Sequence, residues 1–422
     1  NAAPGAESGV DFSQGGPSPL VTQSSIGPYD YAVLRADSKT EMLNWLTNNR
    51  YFIPVGTDES VTPYINPGAY FLALKLKSGK SAGDIQPVVL TYPSQLPMIP
   101  IVLTSVAAQP NMGVLVWMLG EARAIPRNYN HVIINDAQID WLNRAQNYND
   151  VIIRAVSETP EKHAFVTEYA GTSGVMATRL WTQSRFGSQT ELASRTNPSD
   201  FVSYLYENGF TSPTRNSFGS DPLIAGVRSI VMAGLPAQPA GTNEENFLQN
   251  LLFGGNAGVS SIDSAALAAQ IFELVVEPLR EAQTLVDSHP KLTRLYTTLS
   301  PEDMTRDPVF SFNPELPDVS NIHTATQTVN CGFLNTPGNS PSTLVTEQGW
   351  TFSIPGGATR DLTVGPAALR IETLREEGGP ELLTDNTPRI EQTQNCGGCS
   401  AVDPASLTLL ALGTLLLRRR RA

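Results

Sequence analysis

No Gly-x-Ser-x-Gly, no His-Glu-x-x-His and no Gly-x-Gly-x-x-Gly occurs in the chain. Their absence removes the nucleophile elbow, the two-histidine zinc helix and the usual dinucleotide fingerprint. "GTSG" at Gly171–Gly174 is one residue too short for an elbow. "KSGKSAG" ends like a phosphate loop at Gly79-Lys80-Ser81. Its required first glycine falls on Leu74, inside a strand-like run, so a basic hairpin turn is the better reading. His131, His163, His289 and His323 are scattered without ligand spacing and read as surface or hydrogen-bonded structural residues. Asp303 and Asp307 flank an acidic stretch, but "SPEDM" is explained as a helix start, with Ser300 as cap and Pro301 in first position. Calcium on scattered carboxylates stays open. The sequence assigns no catalytic residue, no cofactor and no metal site.

Basic residues are also scarce. There are 28 Lys and Arg against 40 Asp and Glu, for a net charge of −12. Asp403 and Arg418 to Arg421 sum to +3, so residues 1–402 carry −15. Such a body repels phosphate backbones, and no basic stripe with interleaved aromatics offsets it, which excludes nucleic acid as a partner. The chain starts at Asn1 with no apolar secretory segment, so either a signal peptide has been removed or the sequence is a fragment. Residues 1–26 are rich in Gly, Ser, Ala and Pro and read as a flexible linker, which favours a missing N-terminal portion.

The end of the chain, "NCGGCSAVDPASLTLLALGTLLLRRRRA", is the most telling stretch. From Ala405 to Leu417 there are 13 uncharged residues. A helix of that length covers roughly 20 Å against about 30 Å of hydrocarbon. Leu407, Leu409, Leu410, Leu412, Leu415, Leu416 and Leu417 carry the apolar character, while Ser406, Thr408, Gly413 and Thr414 dilute it. It is a poor permanent anchor but a workable transient stop, with Arg418, Arg419, Arg420 and Arg421 held on the cytoplasmic side. Cys396 and Cys399 precede it; two further zinc ligands are missing nearby, and no βαβ pattern surrounds the pair. A cysteine in a Gly-rich setting, a short apolar run and an arginine cluster together resemble the myxobacterial C-terminal sorting signal. The resemblance implies a membrane protease as partner, removal of the helix, and display at the outer surface, with a cysteine as lipid attachment point. Cys-Gly-Gly-Cys replaces the commoner Cys-Gly-Cys, and Cys399 is favoured over Cys396. Membrane contact is then confined to this segment or to the lipid.

The remaining pattern predicts an α+β fold: a mostly antiparallel sheet meander with one early helix, then a largely helical segment and a short strand-rich C-terminal region. "YDYAVLRA" and "YFLALKLK" alternate as strands, and "DSKTEMLNWLTNNRY" is a helix with a Ser38–Glu41 capping box that puts Trp45 in core. "VVLTYP", "IPIVLTSVAA" and "GVLVWMLGEAR" continue the meander, and the uninterrupted run Val114–Leu119 suggests a strand covered on both faces. "NPSDFVSYLYENGF" is helical. "TNEENFLQNLLFGG" is too, capped by Thr242 with Glu245 and stopped by Gly254. "SAALAAQIFELVVEPLREAQTLVD" is long enough for Pro278 to kink or break it. The expected organisation is a linker at 1–26, a sheet domain at 27–171 and a helical region at 172–313. An extended, strand-rich region at 314–390, a spacer at 391–400 and the sorting segment at 401–422 complete it.

"GPYDYAVLRADSKTEMLNWLTNNRYFIP", "FLALKL", "LTYPSQLPMIPIVLTSVAAQPNMGVLVWMLGEARAIPRNYNHVIIN" and "LTRLYTTLSPEDMTRDPVFSFN" resemble the bacterial family known as domain of unknown function 2330, over about Gly27 to Asn313. The resemblance implies an exported envelope protein and supplies no reaction. It also implies a further N-terminal stretch with cysteines. Cys331, in "TVNCGFLN", then has two readings: pairing with a cysteine upstream of Asn1, or a buried free thiol beside Val329 and Phe333. One functional hint remains. Residues 126–150 place Tyr129, Trp141 and Tyr148 among six asparagines, suited to polar recognition of a glycan or to packing an irregular loop. The expected role is non-catalytic binding or structure at the cell surface, with a glycan or another envelope protein as partner. The rival is an exported hydrolase whose catalytic residues lie partly in the missing segment.

Overall fold

The computed structural model describes residues 18–35, 37–180, 183–212, 222–236, 238–255, 258–330, 340–355, 362 and 365–395. Its strands in chain order are β1 (Leu20–Ile26), β2 (Tyr29–Arg35), β3 (Tyr70–Leu76), β4 (Met112–Gly120), β5 (Arg123–Pro126), β6 (Asn130–Ile134) and β7 (Ala164–Thr172). There follow β8 (Lys291–Leu299), β9 (Phe310–Asn313), β10 (Ala325–Val329), β11 (Ser342–Thr346), β12 (Thr351–Ile354), β13 (Ala368–Thr373) and β14 (Glu381–Asp385). Among the described residues the largest sheet has the order β14-β13-β6-β7-β8-β4, with β6 and β7 parallel and the other pairs antiparallel. The class is α+β, as the sequence implies.

The small sheet β1-β2-β3 precedes it. β1 lies in the stretch expected to be a flexible linker. No apolar pattern announces it, because its order comes from main-chain pairing with β2 across a turn at Gly27, whose φ of 52° suits glycine. Ala32 and Leu34 of β2 pack on Met42 of the helix Lys39–Asn48, with Trp45 partly buried beside them. The Ser38 side chain accepts the Glu41 backbone N–H at 3.3 Å, as expected at that N-terminus.

Two parts of the expected meander are not strands. Residues 88–93 have no regular structure, and residues 99–108 hold the short helix Ile101–Thr104 and a 3₁₀ turn at Ser105–Ala107. Pro87, Pro93, Pro97 and Pro100 remove ladder donors throughout this stretch, which outweighs its apolar content. The run Val114–Leu119 also differs from expectation. It lies in β4, an edge strand bonded to β8, and Leu115 and Trp117 are 45% and 49% exposed. Arg294, opposite Trp117 in the β8 register, covers part of that face with its guanidinium 5.4 Å from the ring centroid.

Side chains of β7 alternate between two cores. Phe165 packs with Tyr129, Leu295 and Phe310 on one face. Ala164 and Val166 meet Val151, Ile152 and Ala155 of the helix Tyr148–Ser157 on the other. A third core is purely helical. There Phe186, Phe201, Phe210, Phe247 and Phe272 interlock within residues 186–276. Asn197 caps its Pro198–Glu207 helix, as the sequence pattern suggests. The helix Glu244–Leu252 is capped by Asn243, which accepts the Asn246 N–H at 2.8 Å, rather than by Thr242. Gly254 follows that helix with a φ of 82°. At Pro278 the helix does not break. A π-helical turn at Phe272–Val276 precedes it, widening the backbone where the ring would otherwise meet the Leu274 carbonyl.

The aromatic stack Tyr129–Phe165–Phe310, with centroids 5.4 and 5.5 Å apart, lies within the sheet core. Phe165→Ala is expected to lower stability by about 3–5 kcal/mol, while Trp117→Ala on the half-exposed edge costs far less. Urea unfolding followed by circular dichroism measures both. Equal losses would show that Phe165 is not at the centre of the core.

Candidate functional site

The helix Tyr148–Ser157 joins β6 to β7, so these strands form a β-helix-β unit. Their ladder holds two residue pairs, Asn130↔Ala164 and His131↔Phe165, and then the strands part. A parting parallel pair leaves a crevice beyond its carboxyl ends, where open sheets bind ligands. A cavity of about 510 Å³ lies there. Val132 and Ile134 of β6, Val166 of β7, and Leu316, Val319 and Leu374 supply its apolar walls.

Polar groups enter from several segments. The β6–β13 register sets His131 directly opposite Glu372, with Nδ1 and Oε2 3.2 Å apart and both side chains buried. Burial pushes the His131 pKa below its ordinary value; the Glu372 hydrogen bond opposes this and the nearby Arg123 charge adds to it. His131 is therefore neutral at physiological pH, the form that can donate one N–H to Glu372 and keep a lone pair on the other nitrogen. Arg123, at the start of β5, is 7% exposed. It donates from Nη1 to the Pro317 carbonyl at 2.9 Å and from Nη2 to Thr167 Oγ1 at 3.2 Å. Asp136 accepts from Thr346 Oγ1 and the Gln348 N–H at 2.8 and 2.9 Å, and burial raises its pKa. At the rim, His323 and Glu347 pair at 3.1 Å, both half-exposed.

The residues singled out in the sequence are dispersed. Tyr129 is 3% exposed, stacks on His163 and Phe165, and donates its hydroxyl to the Arg306 carbonyl. Trp141 is partly buried, with its indole N–H on the Asp136 carbonyl at 2.8 Å. Tyr148 is partly buried too and reaches the crevice wall, donating to Glu168 at 3.0 Å. The three rings therefore do not form one exposed patch, because each is committed to packing or to an internal acceptor. His163 is buried against the Asp303 carbonyl at 2.9 Å, and His289 is half-buried at the end of the helix Glu277–Ser288. Asp303 pairs with Lys162, and Asp307 accepts from the Tyr64 hydroxyl and the Val102 N–H. Both acidic groups are thus engaged with the fold. Cys331, Cys396, Cys399 and the leucine–arginine segment at 405–421 lie outside the described residues.

Sequence reasoning missed Arg123, Glu372 and the pairing of His131. One signal was present: "LRIETL" alternates charged and apolar residues in a strand, which fits a sheet with a polar site on one face.

The family model described as an uncharacterized protein conserved in bacteria, DUF2330, matches residues 2–217, just over half of the chain. The chain belongs to that family. The DUF2330 match begins before Gly27 and ends before Asn313, so its extent differs from the one the sequence segments suggest. It contains Arg123, His131, Asp136 and Thr167, whereas Leu316, Gln348 and Glu372 lie beyond it. Comparison with curated proteins and with solved structures gives no match.

The buried imidazole makes a pH prediction. Because the folded pKa of His131 lies below 6.5, the unfolded chain takes the proton first. The stability linked to neutral His131 is present above about 6.5 and is lost as pH falls through that value towards the folded pKa. Asp136 acts in the opposite sense at lower pH, since a raised carboxyl pKa makes the folded state the better proton acceptor. Melting temperature should therefore fall between pH 7.5 and 5.5 in the native protein and fall less in His131→Gln. Parallel curves for the two proteins would remove His131 as the cause.

Proposed function

We propose that this protein is an exported, surface-displayed envelope protein that binds a small molecule in the β6–β7 crevice without transforming it. The observation that carries the binding reading is the internal pairing of the crevice's acid and base groups. His131 is matched by Glu372, His323 by Glu347, and Asp136 by Thr346 and Gln348. Groups satisfied in this way orient a ligand and define a shape. Among the described residues His131 has no hydroxyl or thiol hydrogen-bond partner to activate as a nucleophile. The hydrolase rival is favoured by one feature, the His131–Glu372 geometry, which resembles a base held by its orienting carboxylate. The two readings separate when ligand is recovered from the complex: unchanged ligand supports binding, and a cleaved one supports the hydrolase.

Surface display rests on the acidic body and on the composition of residues 405–421, with a membrane sorting protease as the partner that reads the tail. Among the described residues no helix is long and apolar enough to cross a membrane. A surface glycan or a second envelope protein is the macromolecular partner class proposed. Two measurements test this placement. Intact mass of protein taken from the producing cell should lack residues 405–422, and recovery with Arg418–Arg421 attached would sink the sorting reading. Protein ended at Asn395 should stay in solution without detergent, as its strong negative charge requires. Persistent need for detergent counts against it.

A further inference from the structure

The crevice contains one buried cation with no counter-ion in contact, Arg123, while Arg370, the other arginine on its lining, is solvent-exposed. Arg123 is only 7% exposed, yet it forms no salt bridge among the described residues. Buried arginines are ordinarily paired with a carboxylate, because an unmatched guanidinium out of water is costly. A guanidinium has five N–H donors. Arg123 uses one on Pro317 and one on Thr167, and its buried Nε–H finds no acceptor. The protein's own carboxylates do not resolve this. Glu372 is engaged with His131, and Asp318 binds Lys291 at 2.7 Å.

Resting on the binding reading above, we propose that the crevice takes an amphipathic monocarboxylate whose head meets Arg123 and whose apolar body lies along Ile133, Leu316, Val319 and Leu374. Charge selects the head. One buried unmatched cation accommodates one negative charge, while Asp136, Asp318, Glu347 and Glu372 around the same cavity outnumber Arg123 and the exposed Arg370 and oppose a dianionic phosphate. Shape and chemistry select the body, since the cavity of about 510 Å³ falls in the range of small-molecule sites and several of its wall side chains are aliphatic. A carboxylate there would accept the orphan Nε–H as a charge-assisted hydrogen bond, which is stronger than a neutral one. His131 lines the same cavity, and its nitrogen not bonded to Glu372 can accept a hydrogen bond from a hydroxyl on the same ligand.

The test is isothermal titration calorimetry of the full chain with octanoate, octanol, octylamine and octyl phosphate, which share one apolar body and differ in the head. Octanoate should bind at one site and most tightly, with octylamine weakest. Arg123→Met should bind octanoate roughly 10- to 100-fold more weakly, the loss of one charge-assisted hydrogen bond, and should bind octanol unchanged. If Arg123→Met does not fold, the four-probe ranking on the native protein decides alone. Octanol binding as tightly as octanoate overturns the carboxylate while leaving the crevice a binding site. Tighter octyl phosphate overturns the choice of head group. No binding by any probe overturns both this inference and the binding reading on which it rests.

Discussion

His131 and Glu372 meet at 3.2 Å across the β6–β13 ladder, and that register sets which side chains of the two strands face the crevice. Strand side chains alternate with period two, so a slip of one residue exchanges the faces of a strand completely. Here a slip would push Glu372 and His131 towards Val151 and Ile152 and turn Ile371 and Val132 into the polar site. Burying the carboxylate in that helix-facing core without a partner would cost several kcal/mol. A second device fixes the same register from the strand end. The Glu158 carboxylate, just after the helix Tyr148–Ser157, accepts the backbone N–H groups of Ala367 and Ala368 at 2.7 and 3.1 Å. The helix that packs on one face thus also sets where β13 begins.

This register explains why the crevice is a composite. β6 and β7 pair with each other over two residue pairs, which is too little to hold a sheet together. β13 completes β6 from one side, and β8 completes β7 from the other. The same holds for β5, which pairs with β9, and for Ile125, which packs on Leu316 and Leu374. Asn313, fully buried, ties β9 to the turn before β14 by donating to the Gly378 carbonyl at 3.0 Å. The region matched by the family therefore supplies Arg123, His131 and Thr167, while Leu316, Val319, Glu372 and Leu374 around them come from later in the chain. A ligand site of this kind can change its walls while retaining its cation and its imidazole.

What the sequence made legible follows the range of the forces involved. Local signals held at most helix ends: Ser38, Asn197 and Ser300 begin helical turns, Gly254 follows a helix end and Pro278 marks a backbone irregularity, while the cap read at Thr242 falls on Asn243. Each depends on hydrogen bonds within a few residues. Burial was read less well. Val114–Leu119 is apolar throughout yet forms an edge, because the relief of Trp117 comes from Arg294, 177 positions away in sequence but opposite in register. Tyr129 was grouped with Trp141 and Tyr148 by proximity in the chain, but a β-helix-β unit sends them to different surroundings. The site itself was illegible for a simpler reason. Arg123, His131 and Glu372 are ordinary residues in ordinary strands, and only long-range pairing makes them neighbours.

The helical core bears on this site by staying out of it. β7 ends at Thr172 and β8 begins at Lys291, and these two residues are ladder partners. The Ser173 N–H on the Pro290 carbonyl at 3.0 Å closes the junction. All of the helical segment between them is therefore an excursion whose two ends meet at one point of the sheet. Loop-closure entropy rises only as the logarithm of loop length, so an excursion of this size adds little to the cost of pairing β7 with β8. Its own phenylalanine core offsets the ordering of its residues locally. The wide π turn before Pro278 is accommodated inside that core, where Phe272 and Val276 point inward and Leu274 outward. Irregularities in the excursion are thus absorbed before they reach β8, and the crevice register is left to the sheet and to the helix that covers it.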